Sequence, residues 1–176
     1  LYGDVLCEGA QGFWLDINYG NYPYVTSSTT LPYSACSLGF PSQCINKIYG
    51  ATKIYDTRVG VDPLFPENLL DKELLELSKV GNEIGTTTGR SRRSNWLNLD
   101  KLICAINISG TTHLIISKID IIEKVNIFKL IYKNSISRFD SVNEIKEFIN
   151  TIINSKCKYI EKIVYSDSVE ISNMDI

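Results

Sequence analysis

One short segment combines hydroxyl groups, glycines and guanidinium groups in a pattern suited to binding a small anion. Residues 85–93 read GTTTGRSRR. Arginine binds carboxylates and phosphates through paired hydrogen bonds, while flanking glycines let the backbone fold over a ligand and backbone amides add partial positive charge. The same composition also suits a solvated basic turn, and composition alone does not separate the two interpretations.

A second candidate follows the apolar strand predicted over residues 113–116, where Lys118-Ile119-Asp120 ends the run. A carboxylate at a strand end can accept hydrogen bonds from N1–H and the 2-amino group of guanine, and a lysine stem can lie along the flat base. Adenine lacks this donor pair, so the wrong base would leave the charge unpaired. The alternative is a surface Lys and Asp that close a strand.

Gln11 and Thr26 form a third candidate, because an amide and a hydroxyl in adjoining glycine-bearing loops could bind a nucleotide. Either side chain could equally satisfy the backbone of a turn. The sequence contains no G-x-x-x-x-G-K-[ST] phosphate loop. His113 begins an apolar strand and is interpreted as structural.

The elements that must position these residues alternate between strand and helix, which predicts an α/β fold. Residues 19–31, 57–66 and 81–93 have the composition of loops. Ser141 and Glu144 form a capping box before a strongly periodic helix. Predicted strands cover residues 5–7, 51–55, 113–116, 125–132 and 163–165, and predicted helices cover residues 41–49, 67–80, 99–108 and 142–153.

Composition limits the possible partners. The 176 residues are 44% hydrophobic and 22% charged, with a net charge of -2, so one sizeable core is expected and neither nucleic acid nor a membrane is favoured as the main partner. The five cysteines lack the spacing of a zinc site and are expected to be reduced and mostly buried. We expect a cytoplasmic protein, and the apolar start without methionine suggests a portion of a longer chain.

Several motifs follow one another along the chain. They are Glu8-Gly9-Ala10-Gln11-Gly12, Tyr22-Pro23-Tyr24-Val25-Thr26-Ser27-Ser28, Thr57-Arg58-Val59-Gly60, Gly81-Asn82-Glu83, Thr87-Thr88-Gly89-Arg90, Arg92-Arg93, Trp96-Leu97 and Lys118-Ile119-Asp120. Taken together in this order, they resemble the adenylosuccinate synthetase family. The similarity runs from about Val5 to Asp120, and the remainder to Ile176 is compatible with shorter family forms.

The resemblance implies a ligase that uses GTP to join L-aspartate to inosine monophosphate (IMP), giving adenylosuccinate, GDP and phosphate. It implies residues 1–176 as a single-domain, C-terminal portion of a P-loop-like, GTPase-related fold with a mixed, mainly parallel sheet, and a homodimer at full length. The catalytic residues and the Mg²⁺ ligands would precede Leu1, so this portion alone would be inactive. The implied binding residues are Gln11, Thr26 and Arg90 for IMP; Thr86, Thr87, Thr88, Gly89, Arg90, Ser91 and Arg92 for aspartate; and Arg92, Lys118, Ile119 and Asp120 for GTP.

The sequence departs from the family pattern at two places. Tyr165-Ser166-Asp167-Ser168 stands where the family has a Ser-Thr-Gly-Pro-like turn against guanine, and Ser91 replaces a commonly basic residue. Two alternatives therefore stay open: a viral 2-aminoadenylosuccinate synthetase that acts on (d)GMP, and a non-catalytic remnant that binds a nucleotide or another partner.

Overall fold

The computed structural model describes residues 3–65, 71–85 and 89–167. Within the chain, residues 1–48 and 49–176 form two compact units, and each is described by itself. In the first unit the regular structure consists of short 3₁₀ helices at Phe13–Leu15, Pro32–Leu38 and Ser42–Cys44. That residues 1–176 behave as one domain stays a prediction.

The second unit contains two sheets. The strands are β1 (Tyr49–Lys53), β2 (Tyr55–Arg58), β3 (Arg93–Asn98), β4 (His113–Ser117), β5 (Phe128–Tyr132), β6 (Ser135–Phe139) and β7 (Lys162–Tyr165). One sheet is parallel, in the order β1-β4-β7. The other, in the order β2-β3-β5-β6, is mixed, with a parallel β3-β5 pair between two antiparallel pairs. The single residue Ile54 separates β1 from β2, so the chain passes from one sheet to the other there.

In the described part of the chain, four α-helices accompany these strands, and three of them begin at a side-chain cap. They are α1 (Lys72–Val80), α2 (Leu99–Ser109), α3 (Ile119–Val125) and α4 (Val142–Lys156). Asp71 caps α1 and Asn98 caps α2 by accepting hydrogen bonds from backbone N–H groups of the first turn. Ser141 accepts from the N–H of Glu144, whose carboxylate accepts from the Asp140 N–H. These bonds satisfy amides that a helix leaves without intrahelical partners.

A single apolar core joins the helices to both sheets. Helix α4 contributes Ile145, Ile149 and Ile153, which recur every four residues and are fully buried. They belong to the same buried cluster as Leu97 of β3 and Leu130 of β5. The core therefore fixes the strand ends on which the functional residues are mounted.

The predicted α/β class is confirmed, although two sheets are present where one was expected. The helices over 99–108 and 142–153 and the strands over 113–116 and 163–165 are found as α2, α4, β4 and β7. The predicted strand over 51–55 is divided between β1 and β2, so Thr57 and Arg58 lie in a strand. Of the helix predicted over 67–80, the part from Lys72 is helical, and residues 66–70 lie outside the described residues.

Two predicted elements are wrong. Residues 5–7 do not form a buried strand, since Val5 is 50% and Leu6 84% exposed and no described strand pairs with them. Residues 41–49 contain one short 3₁₀ turn and the start of β1 rather than a helix. The apolar spacing of so short a segment does not distinguish a helix from a strand.

Four more elements differ from the prediction, and one of them is α3 at Ile119–Val125, where the sequence analysis predicts no helix. Strand β5 begins at Phe128 rather than residue 125, because α3 occupies Ile119–Val125. The strands β3 and β6 were missed; in β6, polar residues are interspersed among the apolar ones.

All five cysteines are free thiols, but only Cys157 is buried, whereas most were expected to be. Among the described residues, no helix has the length and apolar character needed to cross a bilayer.

Removing the cap of α4 should weaken the fold. Ser141→Ala deletes the oxygen that accepts the Glu144 N–H, and we expect the free energy of unfolding to fall by about 1 kcal/mol. Ser155→Ala, in the last turn of the same helix, is the matched control and should change it by no more than about 0.5 kcal/mol. Urea unfolding of both variants measures the difference, and equal losses would contradict the capping role.

The carboxyl group of Asp56 should make stability depend on pH. Burial raises the pKa of Asp56 from 3.8 to about 6, although the N–H of Asn98 donates to its carboxylate and opposes the shift. A raised pKa in the folded state means that stability is highest where the group is protonated and falls as pH rises from about 4 to 6. Asp56→Asn should remove this dependence and stabilise the protein at pH 7 by up to about 3 kcal/mol. The free energy of unfolding of both proteins is measured at pH 4, 6 and 7.5. An equal change of this free energy with pH in the wild type and in Asp56→Asn would contradict the role of Asp56.

Candidate functional site

A buried carboxylate lies at the centre of the candidate site. The side chain of Glu83 is 2% exposed. Its Oε2 accepts from Lys53 Nζ at 2.7 Å and from Arg92 Nη1 at 3.2 Å, and its Oε1 accepts from the Tyr55 hydroxyl at 2.6 Å. Lys53 Nζ also donates to Thr57 Oγ1 at 3.1 Å. One acidic group thus holds two cations and a phenol in fixed positions.

The junction between the two sheets supplies two of the three donors, Lys53 and Tyr55. Lys53 is the last residue of β1 and Tyr55 the first residue of β2, so the donors flank Ile54. Lys53 also pairs with Ser117 at the end of β4, next to Lys118. Lys118 Nζ donates to the carbonyl of Gly81, two residues before Glu83, at 3.3 Å. The end of β4 and the segment carrying Glu83 are therefore in direct contact.

The packing around the Tyr55 hydroxyl requires a glycine at position 81. A Cβ atom there would lie 2.5 Å from the hydroxyl oxygen and 3.0 Å from the carbonyl of Leu77. Tyr55 is 1% exposed and its hydroxyl is bonded to Glu83, so the ring has no room to withdraw. The close approach keeps the phenol aimed at the carboxylate.

Charges within the cluster reinforce its hydrogen bonds. Burial alone would raise the pKa of Glu83, but bonds from Lys53, Tyr55 and Arg92 and the charge of Lys53 hold it below its ordinary value. Burial lowers the pKa of Lys53, and repulsion from Arg92 and Lys118 acts in the same direction. Burial and the bond to Glu83 raise the pKa of Tyr55 far above its usual range, so its hydroxyl stays protonated and donates.

The arginine-bearing segment is a narrow loop closed at its base by Glu83 and Arg92. The backbone N–H of Arg92 donates to the Glu83 carbonyl at 2.9 Å, and Ile84 and Ser91 form a β-bridge above this bond. Nearer the tip, the N–H of Gly85 donates to the carbonyl of Arg90 at 2.8 Å. The basic segment is therefore an ordered loop at its base, and Thr86, Thr87 and Thr88 lie outside the described residues.

The three arginines differ in their surroundings. Arg90 is exposed near the tip, together with Gly89 and Ser91. Arg92 is partly exposed and bound to Glu83, whereas Arg93 donates to the carbonyl of Gly60 and lies over the ring of Phe65. Arg90 and Arg92 are therefore accessible to solvent, whereas Arg93 holds the chain that follows β2.

Lys118-Ile119-Asp120 follows β4, as the sequence predicts. Lys118 has a left-handed backbone (φ 68°) and leads directly into α3, while Ile119 is buried. Asp120 Oδ2 accepts from Lys124 Nζ at 2.7 Å, and the carboxylate is near enough to Tyr55 to help raise the pKa of that phenol. The charges of Asp120 in the tripeptide and Arg92 in the arginine loop thus both act on the hydroxyl of Tyr55.

The segment after β7 lies beside this tripeptide. The N–H of Ser166 donates to the carbonyl of Ile116 at 2.9 Å, and the carbonyl of Ser166 accepts from the N–H of Ile119 at 3.4 Å. The unusual Tyr165-Ser166-Asp167 sequence therefore adjoins the end of β4. Ser168 lies outside the described residues.

Gln11 and Thr26 belong to the first unit, which is organised around the buried carboxylate of Asp16. Asp16 accepts from the N–H of Asn18 and Thr30 and from the hydroxyl of Thr29, at 2.6 to 2.9 Å. Burial would raise the pKa of Asp16, but these bonds hold it below its ordinary value. The backbone of Thr26 is fixed by donation to the Leu15 carbonyl at 2.7 Å.

Gln11 is exposed and has a left-handed backbone (φ 70°). The arginine loop precedes β3 of the mixed sheet, whereas Lys118 follows β4 of the parallel sheet, so these two candidates lie at strands of different sheets. Gln11 and Thr26 lie in a unit whose regular structure is 3₁₀ helix.

Three residues of the cluster were missed as functional candidates: Lys53, Tyr55 and Glu83. The available signal was a lone acid, Glu83, ahead of the hydroxyl-rich and basic stretch. Among the described residues, no group of three or more His, Cys, Asp or Glu side chains could hold a metal ion.

Comparison with known proteins agrees with this architecture. The family model of adenylosuccinate synthetases matches residues 2–169. The adenylosuccinate synthetases of Flavobacterium johnsoniae and Cytophaga hutchinsonii are 44% identical over 127 residues and 48% identical over 119 residues. These matches cover 72% and 67% of this chain, but 30% and 27% of the relatives. The chain thus spans less than a third of the length of these relatives.

Solved structures give the same result. The fully ligated adenylosuccinate synthetase of Plasmodium falciparum superposes with a TM-score of 0.73 at 27% identity, over 93% of this chain and 47% of that chain. The cyanophage S-2L succinoaminodeoxyadenylate synthetase bound to dGMP and dATP superposes with a TM-score of 0.57 over 89% of this chain and 41% of that chain. At 17% identity, the second likeness concerns the fold alone.

The sheets, their helices and the charged junction define an α/β protein with a P-loop-like, nucleotide-binding fold. More particularly, the chain belongs to the adenylosuccinate synthetase family, whose members are ligases of purine biosynthesis.

Proposed function

We propose that this chain supplies the aspartate-binding and guanine-binding portion of a GTP-dependent synthetase that joins L-aspartate to IMP. The observation that carries the proposal is the charged cluster that brings the base of the arginine loop to the end of β4. A loop suited to anions and a tripeptide suited to guanine are thereby adjacent. A solvated surface turn would not account for the contact of the loop with a buried carboxylate.

The proposed reaction transfers a phosphoryl group and then an amine. N1 of IMP gives up its proton as O6 attacks the γ-phosphorus of GTP, the bond to the β-γ bridging oxygen breaks, and GDP leaves. The amine of aspartate then attacks C6 and loses a proton, and O6 departs with the phosphate to leave adenylosuccinate. Such steps depend chiefly on positioning and on stabilisation of negative charge. Arg90 and Arg92 would contribute both by binding the carboxylates of aspartate and the nucleotide phosphates.

In this proposal, Asp120 recognises the guanine of GTP. Its Oδ2 contacts exposed Lys124, an ion pair of a kind that contributes little when open to water. The carboxylate can therefore accept from N1–H and the 2-amino group of guanine at small cost. Lys118 would lie along the base and Ile119, whose side chain is buried, would contribute its backbone. Gln11 and Thr26 would bind IMP.

Several features implied by the family stay proposals, because the chain spans less than a third of its curated relatives. These are the use of GTP and Mg²⁺, a homodimer, a cytoplasmic location, and catalytic residues outside this portion. Mg²⁺ would neutralise charge on the transferred phosphates, and no step here is assigned to it.

The reaction itself is the first test. Protein that includes any residues flanking 1–176 in the cell should convert IMP, aspartate and GTP to adenylosuccinate, with one GDP formed per product when Mg²⁺ is present. The same assay with dGMP in place of IMP identifies the acceptor. Product from dGMP but not IMP would contradict the proposed substrate, and GTP binding without product from either would indicate a non-catalytic nucleotide-binding protein.

Replacing Asp120 should reduce selectivity for guanine. In Asp120→Ala, we expect kcat/KM for GTP to fall at least ~10-fold while the rate with ATP changes little, because a charge-assisted pair of hydrogen bonds to guanine is lost. Asp100→Ala is the matched control, since Asp100 also lies in the first turn of a helix. Equal losses with GTP and ATP would remove Asp120 from base recognition.

A further inference from the structure

Glu83 is the most completely bonded side chain of the site, although the family resemblance gives it no ligand. Its backbone is fixed as well: its N–H donates to the carbonyl of Ser78 at 3.1 Å, and its carbonyl accepts from the N–H of Arg92 at 2.9 Å. Its carboxylate contacts Lys53, Tyr55 and Arg92. A side chain fixed on every side is suited to orienting a mobile neighbour.

A second acid of the same fold provides a comparison. Glu73 also binds two cations, Lys129 and Arg138, but it is 32% exposed. Glu83 is almost wholly buried at the sheet junction. Burying a carboxylate is costly even when it is paired, so an ion pair at such a place is weak evidence for a purely stabilising role and is compatible with one that fixes geometry.

The neighbour that gains most from this fixed geometry is Arg92. An arginine side chain has about 2 kcal/mol of rotamer entropy to lose before it can bind a ligand in one orientation. The ion pair of Arg92 with Glu83 engages Nη1, and its side chain is 30% exposed. A guanidinium group carries five N–H donors, so bonding to Glu83 leaves donors that can reach a ligand anion.

We infer that Glu83 is a positioning residue that holds the guanidinium of Arg92 in its ligand-binding orientation. The ammonium of Lys53 and the hydroxyl of Tyr55 fix the Glu83 carboxylate, and the absence of a side chain at Gly81 keeps Tyr55 in place. The inference rests on the proposed function, in which Arg92 binds aspartate and GTP. Glu83 itself touches neither substrate.

Glu83→Gln tests the inference because the amide keeps the size of the side chain and removes its charge. We expect KM for aspartate to rise at least ~10-fold while KM for IMP changes less than ~3-fold, since charge-assisted bonds that set Arg92 are lost. The matched control is Glu73→Gln, which should change both values less than ~3-fold. Equal changes in the two KM values of Glu83→Gln would indicate general damage and overturn the positioning role.

A double variant shows whether Glu83 acts through Arg92. If it does, adding Glu83→Gln to Arg92→Ala should cause no further loss of kcat/KM beyond ~2-fold, because the group being positioned is already absent. Multiplicative losses would overturn the inference. Wild-type kinetics in Arg92→Ala alone would instead refute the proposed role of Arg92 in substrate binding, so the two failures are distinguishable.

A measurement without turnover tests the same contact. Hydrogen exchange of the Arg92 side-chain N–H groups, followed by ¹⁵N NMR, should be slow in the wild type and at least ~10-fold faster in Glu83→Gln. Tyr55→Phe keeps the charge of Glu83 and removes one of its bonds, so it should give a smaller acceleration and serves if Glu83→Gln does not fold. Unchanged Arg92 exchange in a folded variant of either kind would overturn the inference, whatever the enzyme assay gives.

Discussion

The carboxylate of Glu83 is the interaction on which the arrangement of the charged site depends. Two segments meet at its two oxygens, the junction of β1 and β2 and the approach to β3, while Glu83 itself lies just after the end of α1. Without a negative charge at this point, Lys53, Arg92 and the nearby Lys118 would repel one another in a partly buried space. The anion converts that repulsion into a cluster with defined geometry.

The sheet junction explains why the cluster forms where it does. Lys53 is the last residue of β1 and Tyr55 is the first residue of β2, and only Ile54 separates them. Neither residue can therefore move independently of the sheet to which its strand belongs. Pairing of β1 with β4 then places Lys118 beside Lys53, and the bond from Lys118 to Gly81 returns to the segment bearing Glu83. Backbone register and the side-chain bonds of Lys118 and Glu83 together bring the loop to the strand end.

The sequence predicts the elements whose periodicity is strong and local. Helix α4 follows from its capping box and its regular isoleucines, and β4 from its β-branched run. Residues 5–7 and 41–49 were misjudged because short apolar segments fit several structures and pairing decides among them. Motifs pointed to Arg92 and Asp120 as ligand-binding candidates, but nothing local reveals that Glu83 meets Lys53, which is 30 residues away in sequence.

The closed base of the arginine loop separates two tasks along one stretch of chain. The bonds between Glu83 and Arg92 and the bridge between Ile84 and Ser91 secure the stem of the loop. In the proposed function the loop binds the amino acid, so substitutions beyond this stem can alter which amino acid is accepted while leaving the guanidinium of Arg92 undisturbed. Such a division makes the loop a natural place for related ligases to diverge in selectivity and for engineering to begin.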